Sequence, residues 1–435
     1  MSIALNETLK SRLKGYFREE YDTFIRKLDE PCTKGFFLNT SKAEREEIFK
    51  EISFPYIPSK LTDDSFYHDE ENIGKTVAYD LGLIYPQEIA ASLTSMVIEG
   101  MKASLVVDLC AAPGGKTVNV LNRLSSYDLC IANDYNHKRA QILSSNLERL
   151  GLDKTIVTCR KPHELVKELE GNCDIVILDA PCSGEGMLRK YPEIGTDYDL
   201  SSVKECSLLQ KELLEDAYTA LNQDGILLYS TCTYAPEEDE DQINAFLSLH
   251  EDMERIPLSS EMDPSLSDYV KLSPLNGTEG QFYCAMRKNS PSSSRKLRYQ
   301  KECGEKTVEE YIKQNTDISD FHLYQKNGTY YMSVCALPEI SSGILREGIE
   351  VGKLNGKRLE ASHSFYRANS LKSHYRYVYD LSDAEYASYI AGNELFTGFD
   401  DGDYAVTYHG HSLGYGKARQ GRLKNKYPKG LRRMV

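Results

Sequence analysis

The sequence predicts an α/β protein whose centre is a parallel sheet with crossover helices. Between residues 105 and 241, five apolar stretches typical of buried strands alternate with helical stretches, and this pattern indicates repeated β-α-β units. The first strand leads into VVDLCAAPGGKT at residues 106–117, where a glycine pair precedes a helix. Towards the C-terminus, alternating apolar residues and glycine-rich turns predict a smaller, β-rich part.

The composition is that of a globular chain with several domains. Of its 435 residues, 40% are hydrophobic and 27% are charged, which is typical of soluble proteins with two to four domains at this length. The 11 cysteines include no CxxC pair, which argues against a disulfide framework and against a structural zinc site. No apolar run is long enough to span a membrane and no apolar targeting segment follows Met1, so we predict a cytoplasmic location without a membrane or metal partner.

The charge is unevenly distributed along the chain. A formal net charge of -14 by itself disfavours a nucleic-acid partner, because cationic residues bind the phosphates. Residues 410–435, however, contain Lys and Arg but no acidic residue, and residues 287–301 form a second acid-free basic run. A local RNA-binding surface is therefore compatible with an acidic chain.

The N-terminal residues predict a small α+β module over residues 1–84. Apolar residues spaced by three and four from residue 6 to residue 29 predict one helix, which Pro31 ends. GFFLNT at residues 35–40 suits a strand, and a capping box at residues 41–44 predicts a second helix. YPQEIA at residues 85–90 is predicted to begin the helix that leads into the central sheet.

The loop after the first central strand is predicted to bind a nucleotide-type cofactor. Its glycines let the backbone approach a ligand, Pro113 stiffens it, and the following helix offers free backbone N–H groups. A second strand ends at Asp134, about 20 residues beyond the glycines, where a carboxylate commonly binds a ribose. Capping of the next helix is the alternative role for Asp134. The predicted cofactor-binding residues are Cys110, Ala111, Ala112, Pro113, Gly114, Gly115, Lys116, Asp134 and Asp179.

Two later strands each end in a loop that contains a cysteine. The fourth central strand leads into DAPCSG with Cys182, and the fifth leads into STCT with Cys232. Consecutive parallel strands are commonly neighbours, so both thiols could face one cavity beside the cofactor loop. The alternative for either cysteine is a buried side chain that only packs. Asp179 lies at the tip of the fourth strand, and its presence there favours a shared functional site for the two cysteines over a packing role.

At these residues the sequence resembles the Nol/Nop/Sun family of RNA (cytosine-5) methyltransferases. VVDLCAAPGGKT resembles the S-adenosylmethionine loop of that family, and DAPCSGEG and STCTYAPEEDED resemble its fourth and sixth motifs. GEGMLRKYPE at residues 184–193 and GYGKARQGRLKNKYPKGLR at residues 414–432 resemble the branch that modifies bacterial ribosomal RNA. The resemblance implies a Rossmann-like methyltransferase core over residues 85–288 and a linker over residues 289–300. It also implies two C-terminal modules over residues 301–360 and 361–435, of which the last is PUA-like.

The resemblance also implies roles for individual residues. Cys232 is the expected nucleophile towards carbon 6 of cytosine, Cys182 assists product release, and Asp179 acts at nitrogen 3 of the base. Lys116 is expected either to contact the methionine carboxylate or to cap its helix. The acidic run after Cys232 is interpreted as a solvated helix start.

We expect the substrate to be small-subunit ribosomal RNA (16S rRNA) and the enzyme to be a monomer. Transfer RNA is the rival substrate, and a non-catalytic RNA-binding assembly factor is the rival class of function. Tyr415 and Tyr427 are expected to stack on RNA beside the basic tail. The residues expected to bind RNA are Lys190, Lys417, Arg419, Arg422, Lys424, Lys426 and Lys429.

Overall fold

The computed structural model describes residues 3–257, 269–291, 293–396, 398 and 400–433. Its N-terminal part contains four helices and a four-stranded antiparallel sheet in the order β2-β3-β1-β4. These elements are α1 Glu7–Phe17, α2 Tyr21–Leu28, β1 Gly35–Leu38, α3 Arg45–Lys50, β2 Tyr56–Pro58, β3 Ser65–His68, α4 Val77–Asp80 and β4 Ile84–Pro86.

Three predictions for this part are wrong in detail. The single N-terminal helix is two helices, because Arg18 has a positive φ of 45° and breaks the first one. The second helix starts at Arg45 rather than after Ser41, whose hydroxyl instead donates to Asn39 at 2.6 Å. YPQEIA does not begin a helix: Tyr85 lies in β4, paired with Phe37, and a 3-10 helix follows over Ile89–Ile98.

The central sheet contains the five predicted parallel strands. It has the order β10-β12-β9-β8-β5-β6-β7-β15, and β11 pairs with β12. Strands β9, β8, β5, β6 and β7 are mutually parallel, whereas β12 and β15 add antiparallel edges. The elements are β5 Lys102–Asp108, α5 Gly115–Arg123, β6 Ser126–Asn133, α6 His137–Leu150, β7 Thr155–Thr158, α7 Pro162–Leu169, β8 Cys173–Asp179, α8 Glu193–Asp197, α9 Leu200–Ala220, β9 Leu221–Thr231, α10 Glu240–Leu249, β10 Met253–Ile256, β11 Val270–Leu272 and β12 Gln281–Lys288.

Both faces of this sheet are buried, which explains its continuous apolar strands. Along β5, Leu105 and Val107 pack into the core on one face, and Val106, which lies between them, packs into the core on the other. Helices cover both faces, so the carboxyl ends of the parallel strands and their loops remain as the place for a ligand.

The C-terminal part contains two smaller sheets, in the orders β13-β14-β16-β17 and β18-β20-β21-β22-β19. Its elements are α11 Lys306–Asn315, β13 His322–Lys326, β14 Thr329–Ser333, β15 Ile344–Glu347, β16 Ile349–Asn355, β17 Arg358–Ala361, β18 Val378–Leu381, α12 Asp383–Ile390, β19 Leu395–Phe396, β20 Gly402–Tyr408, β21 His411–Arg419 and β22 Arg422–Asn425. Strand β15 leaves this part and pairs with β7 at the edge of the central sheet. Among the described residues, no helix combines the length and the apolar character that a membrane crossing requires.

Candidate active site

The two cysteines meet at the carboxyl edge of the central sheet. Strands β8 and β9 are parallel neighbours in which Asp179 pairs with Ser230, so the loops that follow them lie side by side. The Sγ atoms of Cys182 and Cys232 are 3.1 Å apart, and the backbone N–H of Cys232 donates to Cys182 Sγ at 3.2 Å. The hydrogen bond with Cys232 and burial raise the pKa of Cys182 well above its ordinary value. Burial and this contact therefore favour the thiol form of Cys182.

A hydrogen-bond network holds the two cysteine loops together. The hydroxyl oxygens of Ser183 and Thr233, which follow the two cysteines, are 2.8 Å apart. Glu238 Oε2 accepts the backbone N–H of Ser183 at 3.0 Å and the amide of Gln210 at 2.9 Å. The same amide donates to the carbonyl of Pro181 at 2.8 Å. The position of Cys182 is thus fixed from both sides of the sheet edge.

The acidic run after Cys232 is only in part the solvated helix start that the sequence suggested, since Glu240 and Asp241 lie in the first turn of α10. Glu238 and Asp239 are both 0% exposed, and α10 begins only at Glu240. Asp239 accepts the hydroxyl of Thr231 at 2.5 Å and lies 3.1 Å from the ammonium of Lys271 on β11. Burial raises the pKa of both carboxyl groups. Sequence analysis missed their structural role because their partners lie on other elements.

Lys116 and Asp179 form an ion pair beside the cysteines. The Lys116 ammonium is 2.8 Å from Asp179 Oδ1, which also accepts the hydroxyl of Ser230 at 2.8 Å. Burial, the largest single influence, lowers the pKa of Lys116, but the charge and hydrogen bond of Asp179, together with Cys232 and Asp108, raise it above its ordinary value. The side chain of Asp179 remains 36% exposed. Lys116 therefore contacts the carboxylate of Asp179, which neither interpretation of the sequence included.

The cofactor loop has the backbone that the sequence predicted. Gly114 has a φ of 113°, a left-handed conformation that favours glycine, and it lies at the N-cap of α5. A Cβ on Gly115 would collide with the side chain of Gln87. The buried carboxyl group of Asp108 accepts the hydroxyl of Thr117 at 2.6 Å, and burial raises its pKa to about 7. The loop is thereby anchored to the end of β5 while the first N–H groups of α5 stay available.

Asp134 lies at the end of β6, next to this loop. The backbone N–H of Asn136 donates to its Oδ1 at 2.9 Å, and the guanidinium of Arg139 lies 3.3 Å from its Oδ2. The same Arg139 donates to the carbonyl of Ala112 at 2.7 Å and so connects the two strand ends. The N-cap of α6 is Asn136, so the alternative role of Asp134 as the cap is wrong.

These residues fit a nucleoside cofactor with a carboxylate. Asp134 is only 3% exposed, and a carboxylate held in place at this point is chemically suited to accept the hydroxyls of a ribose. The N-terminus of α5 offers backbone N–H groups that suit an anionic group. Among the described residues, no cluster of His, Cys, Asp and Glu could hold a metal ion.

The basic C-terminal residues form an ordered hairpin rather than a free tail. Strand β22 alternates exposed cations with buried residues, since Arg422 and Lys424 are exposed whereas Leu423 is buried. Exposed cations also include Arg419, Lys426 and Lys429, while Lys417 is partly buried and pairs with Asp403.

The two tyrosines of this region do not stack on RNA as the sequence suggested. Tyr415 and Tyr427 are each 6% exposed and belong to the core. Phe396, which is 77% exposed under the guanidinium of Arg422, is an accessible aromatic ring of this surface. Lys190 follows the Cys182 loop, with its ammonium 5.4 Å from the centre of the Tyr191 ring.

Comparison with known proteins decides the family. A family model described as 16S rRNA methyltransferase RsmB/F matches residues 95–287. The tRNA (cytosine(49)-C(5))-methyltransferase of Pyrococcus abyssi is 34% identical over 234 residues, which are 53% of this chain and 75% of that protein. The chain belongs to the RsmB/F family of RNA (cytosine-5)-methyltransferases.

Further matches extend over nearly the whole length of this RsmB/F-family enzyme. Models described as the N-terminal domain of 16S rRNA methyltransferase RsmF and the methyltransferase RsmF PUA domain match residues 5–89 and 376–433. Ribosomal RNA small subunit methyltransferase F of Shewanella sediminis is 28% identical over 445 residues, covering 94% of this chain and 92% of that protein.

A solved structure agrees with these matches. The crystal structure of a methyltransferase homolog protein from Pyrococcus horikoshii shares 28% identity with a TM-score of 0.57, covering 66% of this chain and 96% of that one. The Rossmann-like core, the PUA-like module and the use of S-adenosylmethionine are confirmed.

Proposed function

We propose that this enzyme methylates carbon 5 of a cytosine in 16S rRNA through a covalent bond between Cys232 and carbon 6 of the base. The observation that carries the proposal is the 3.1 Å separation of the Cys182 and Cys232 sulfurs beside the Lys116–Asp179 ion pair. Bound S-adenosylmethionine supplies the methyl group as an electrophile on sulfur. The chain supplies the groups that make carbon 5 nucleophilic and later release the product.

The first step is addition of the Cys232 thiolate to carbon 6. A new carbon–sulfur bond forms there, and the electron pair of the 5,6 double bond moves towards carbon 5, which then accepts the methyl group. Asp179, which is a carboxylate in its ion pair with Lys116, takes the proton that Cys232 loses and donates it in a hydrogen bond to nitrogen 3, which stabilises the charge that develops on the ring. Its hydrogen bond from Ser230 and its contact with Lys116 hold the carboxyl group in one orientation.

The second step removes the proton from carbon 5 and expels Cys232. The thiol contact and burial that raise the pKa of Cys182 keep it protonated in the free enzyme, so Cys232 is free to act as the nucleophile. Once Cys232 is bound to the base this contact is lost, and Cys182 gives up its proton to solvent. Cys182 then takes the carbon 5 proton, the double bond re-forms, and the bonding electrons return to Cys232 sulfur.

Support for ribosomal RNA comes from the extent of the matches. The Shewanella relative named for the small ribosomal subunit aligns with nearly the whole chain, whereas the archaeal tRNA enzyme aligns with 53% of it. The rival role as a non-catalytic assembly factor has no need for Cys232, Cys182 and Asp179 in one cluster. We further propose that the enzyme is a cytoplasmic monomer whose last sheet binds RNA through exposed cations.

Bisulfite sequencing of RNA from cells with and without the gene tests this proposal. We expect one or more 16S rRNA cytosines to lose protection when the gene is deleted, and to regain it with the wild-type gene. A gene encoding Cys232→Ala should not restore protection, although the variant protein should still bind S-adenosylmethionine. Loss of protection only in transfer RNA would refute the ribosomal substrate. Restoration by Cys232→Ala would refute covalent catalysis.

A further inference from the structure

A polar pocket of about 580 Å³ lies where the N-terminal module meets the last sheet. Its walls are Lys42, residues on and beside α3, Lys372, and the turn between β20 and β21. None of these residues belongs to the candidate active site. The pocket therefore needs an explanation other than cofactor or target-base binding.

Lys42 is a buried lysine in the wall of this pocket. It is 4% exposed, and its ammonium lies 3.5 Å from the carbonyl of Arg149, a long contact with a neutral acceptor. Within the described part of the chain, no carboxylate forms an ion pair with Lys42. Burial and the nearby charges of Arg367, Arg149 and Lys372 hold the pKa of Lys42 well below its ordinary value.

The three neighbouring cations are bound to carbonyl oxygens. Arg149 donates to the carbonyl of Tyr79 at 2.8 Å, and Arg367 donates to the carbonyl of Ser412 at 2.9 Å. Lys372 donates to the backbone carbonyl of Lys42 at 2.8 Å.

These hydrogen bonds do not cancel the positive charge of the side chains that donate them. Carbonyl oxygens satisfy hydrogen bonds but do not cancel a full charge. The charges of Asp80 and Glu148 act on Arg149 and Arg367, but Asp80 is itself paired with Arg433. The four cations form no ion pair with a carboxylate among the described residues, and they leave a local excess of positive charge in a protein whose net charge is -14.

The rim of the pocket adds charges of both signs. Lys50 is exposed, and His411 is partly buried. The acidic side is Glu47 and Glu51, of which Glu51 accepts a hydrogen bond from His409 at 2.8 Å. The hydrogen bond from His409 therefore offsets part of the acidic charge. On the other side of the pocket, burial and neighbouring positive charges disfavour the charged form of Lys42, and an anion bound there would stabilise it.

We propose that this pocket binds a phosphate of the RNA backbone. The inference rests on the proposed RNA substrate and assigns it a second contact region, apart from the cysteines. His411 begins β21, the strand that ends at Arg419 and continues into the hairpin of exposed cations. A nine-residue strand is about 30 Å long, so an RNA strand that follows this sheet would contact the hairpin at one end and the pocket at the other. A phosphate would also supply the negative charge that Lys42 lacks.

Salt-dependent binding to transcribed 16S rRNA tests the proposal. We expect Lys42→Met and Lys372→Ala each to weaken binding at 50 mM salt and to reduce the slope of log K against log salt by about 0.7 per lost phosphate contact. The loss of RNA affinity of each variant relative to wild type should therefore become about 2.5-fold smaller between 50 and 200 mM salt. Lys357→Ala, in the exposed turn between β16 and β17, is the matched control and should retain the wild-type slope.

The outcomes separate this proposal from the proposed function. One outcome is that the wild-type enzyme methylates 16S rRNA while Lys372→Ala and Lys42→Met bind RNA with the wild-type salt slope. In that case the pocket does not bind RNA. If wild type fails to methylate 16S rRNA, the proposed function fails instead. A third arm measures thermal stabilisation by inorganic phosphate. Phosphate stabilisation that Lys372→Ala abolishes, with an unchanged RNA slope, would overturn the RNA assignment in favour of a free phosphate. Because Lys372 is exposed, we expect Lys372→Ala to fold. It therefore decides the test even if Lys42→Met does not fold.

Discussion

Replacement of Cys182 by alanine is the sharpest test of how the product leaves. The Cys182 sulfur lies 3.1 Å from that of Cys232, so its removal deletes the group that faces the covalent bond from the protein side. Proton transfer by a positioned group commonly contributes 10²–10⁴-fold, which corresponds to about 3–5 kcal/mol of activation free energy. We therefore expect Cys182→Ala to form the Cys232–RNA bond and to slow its breakdown by about 10²–10⁴-fold.

Denaturing gel electrophoresis measures this effect directly. The variant is incubated with transcribed 16S rRNA and S-adenosylmethionine, and the fraction of protein that migrates with RNA is followed over time. Cys182→Ala should accumulate a stable adduct, and the double variant with Cys232→Ala should form none. Cys303→Ala, which alters a cysteine of the C-terminal part, should behave as wild type.

Two results would refute this reasoning about Cys182. Rapid turnover by Cys182→Ala without an adduct would reduce this residue to a packing role. An adduct that survives in the double variant would assign the covalent bond to another residue. A loss of folding is not expected, since the side chain deleted is small and its hydrogen bond from the Cys232 N–H is weak.

Three further predictions concern charged groups around the site. Lys116→Met should lower kcat for methyl transfer by about 10²–10³-fold, because Asp179 loses its cation; unchanged steady-state kinetics would contradict this role. Glu238→Ala should lower the free energy of unfolding by about 2 kcal/mol and slow adduct release, because the N–H of Ser183 loses its acceptor. Glu238→Gln, which keeps an acceptor, should restore release, and equal behaviour of the two variants would argue against positioning. Asp108 has a pKa of about 7 against an ordinary 3.8, so its contribution to stability is lost as pH rises from about 4 to 7. In urea unfolding, Asp108→Asn should remove about 2.5 kcal/mol from the change in the free energy of unfolding between pH 5 and pH 8. Identical pH profiles of the variant and the wild type would refute the raised pKa of Asp108.

Several features of the site follow from local sequence. The apolar strands and the Gly114-Gly115 turn are encoded by neighbouring residues, so they predict the sheet edge with its cofactor loop. Cys182 and Cys232 could be paired from the sequence because consecutive parallel strands tend to be neighbours. The structure confirms that pairing with a sulfur separation of 3.1 Å.

Other features depend on partners that are distant in the chain. Asp239 is buried only because Thr231 and Lys271 accompany it, and nothing near Asp239 in the sequence indicates the lysine. In the same way, Ser41 is drawn into a bond with Asn39 instead of starting a helix, and Tyr415 is buried by the last sheet.

The sequence by itself determined the order of strands and helices in the central sheet, the glycine turn and the two cysteines that follow neighbouring strands, because backbone preference and apolar periodicity act over a few residues. Only the tertiary structure decided which charges are paired, since burial and ion pairing depend on segments that meet after folding. Lys116 beside Asp179 shows this limit within the site, and Lys42 among three other cations shows it at the junction of the modules.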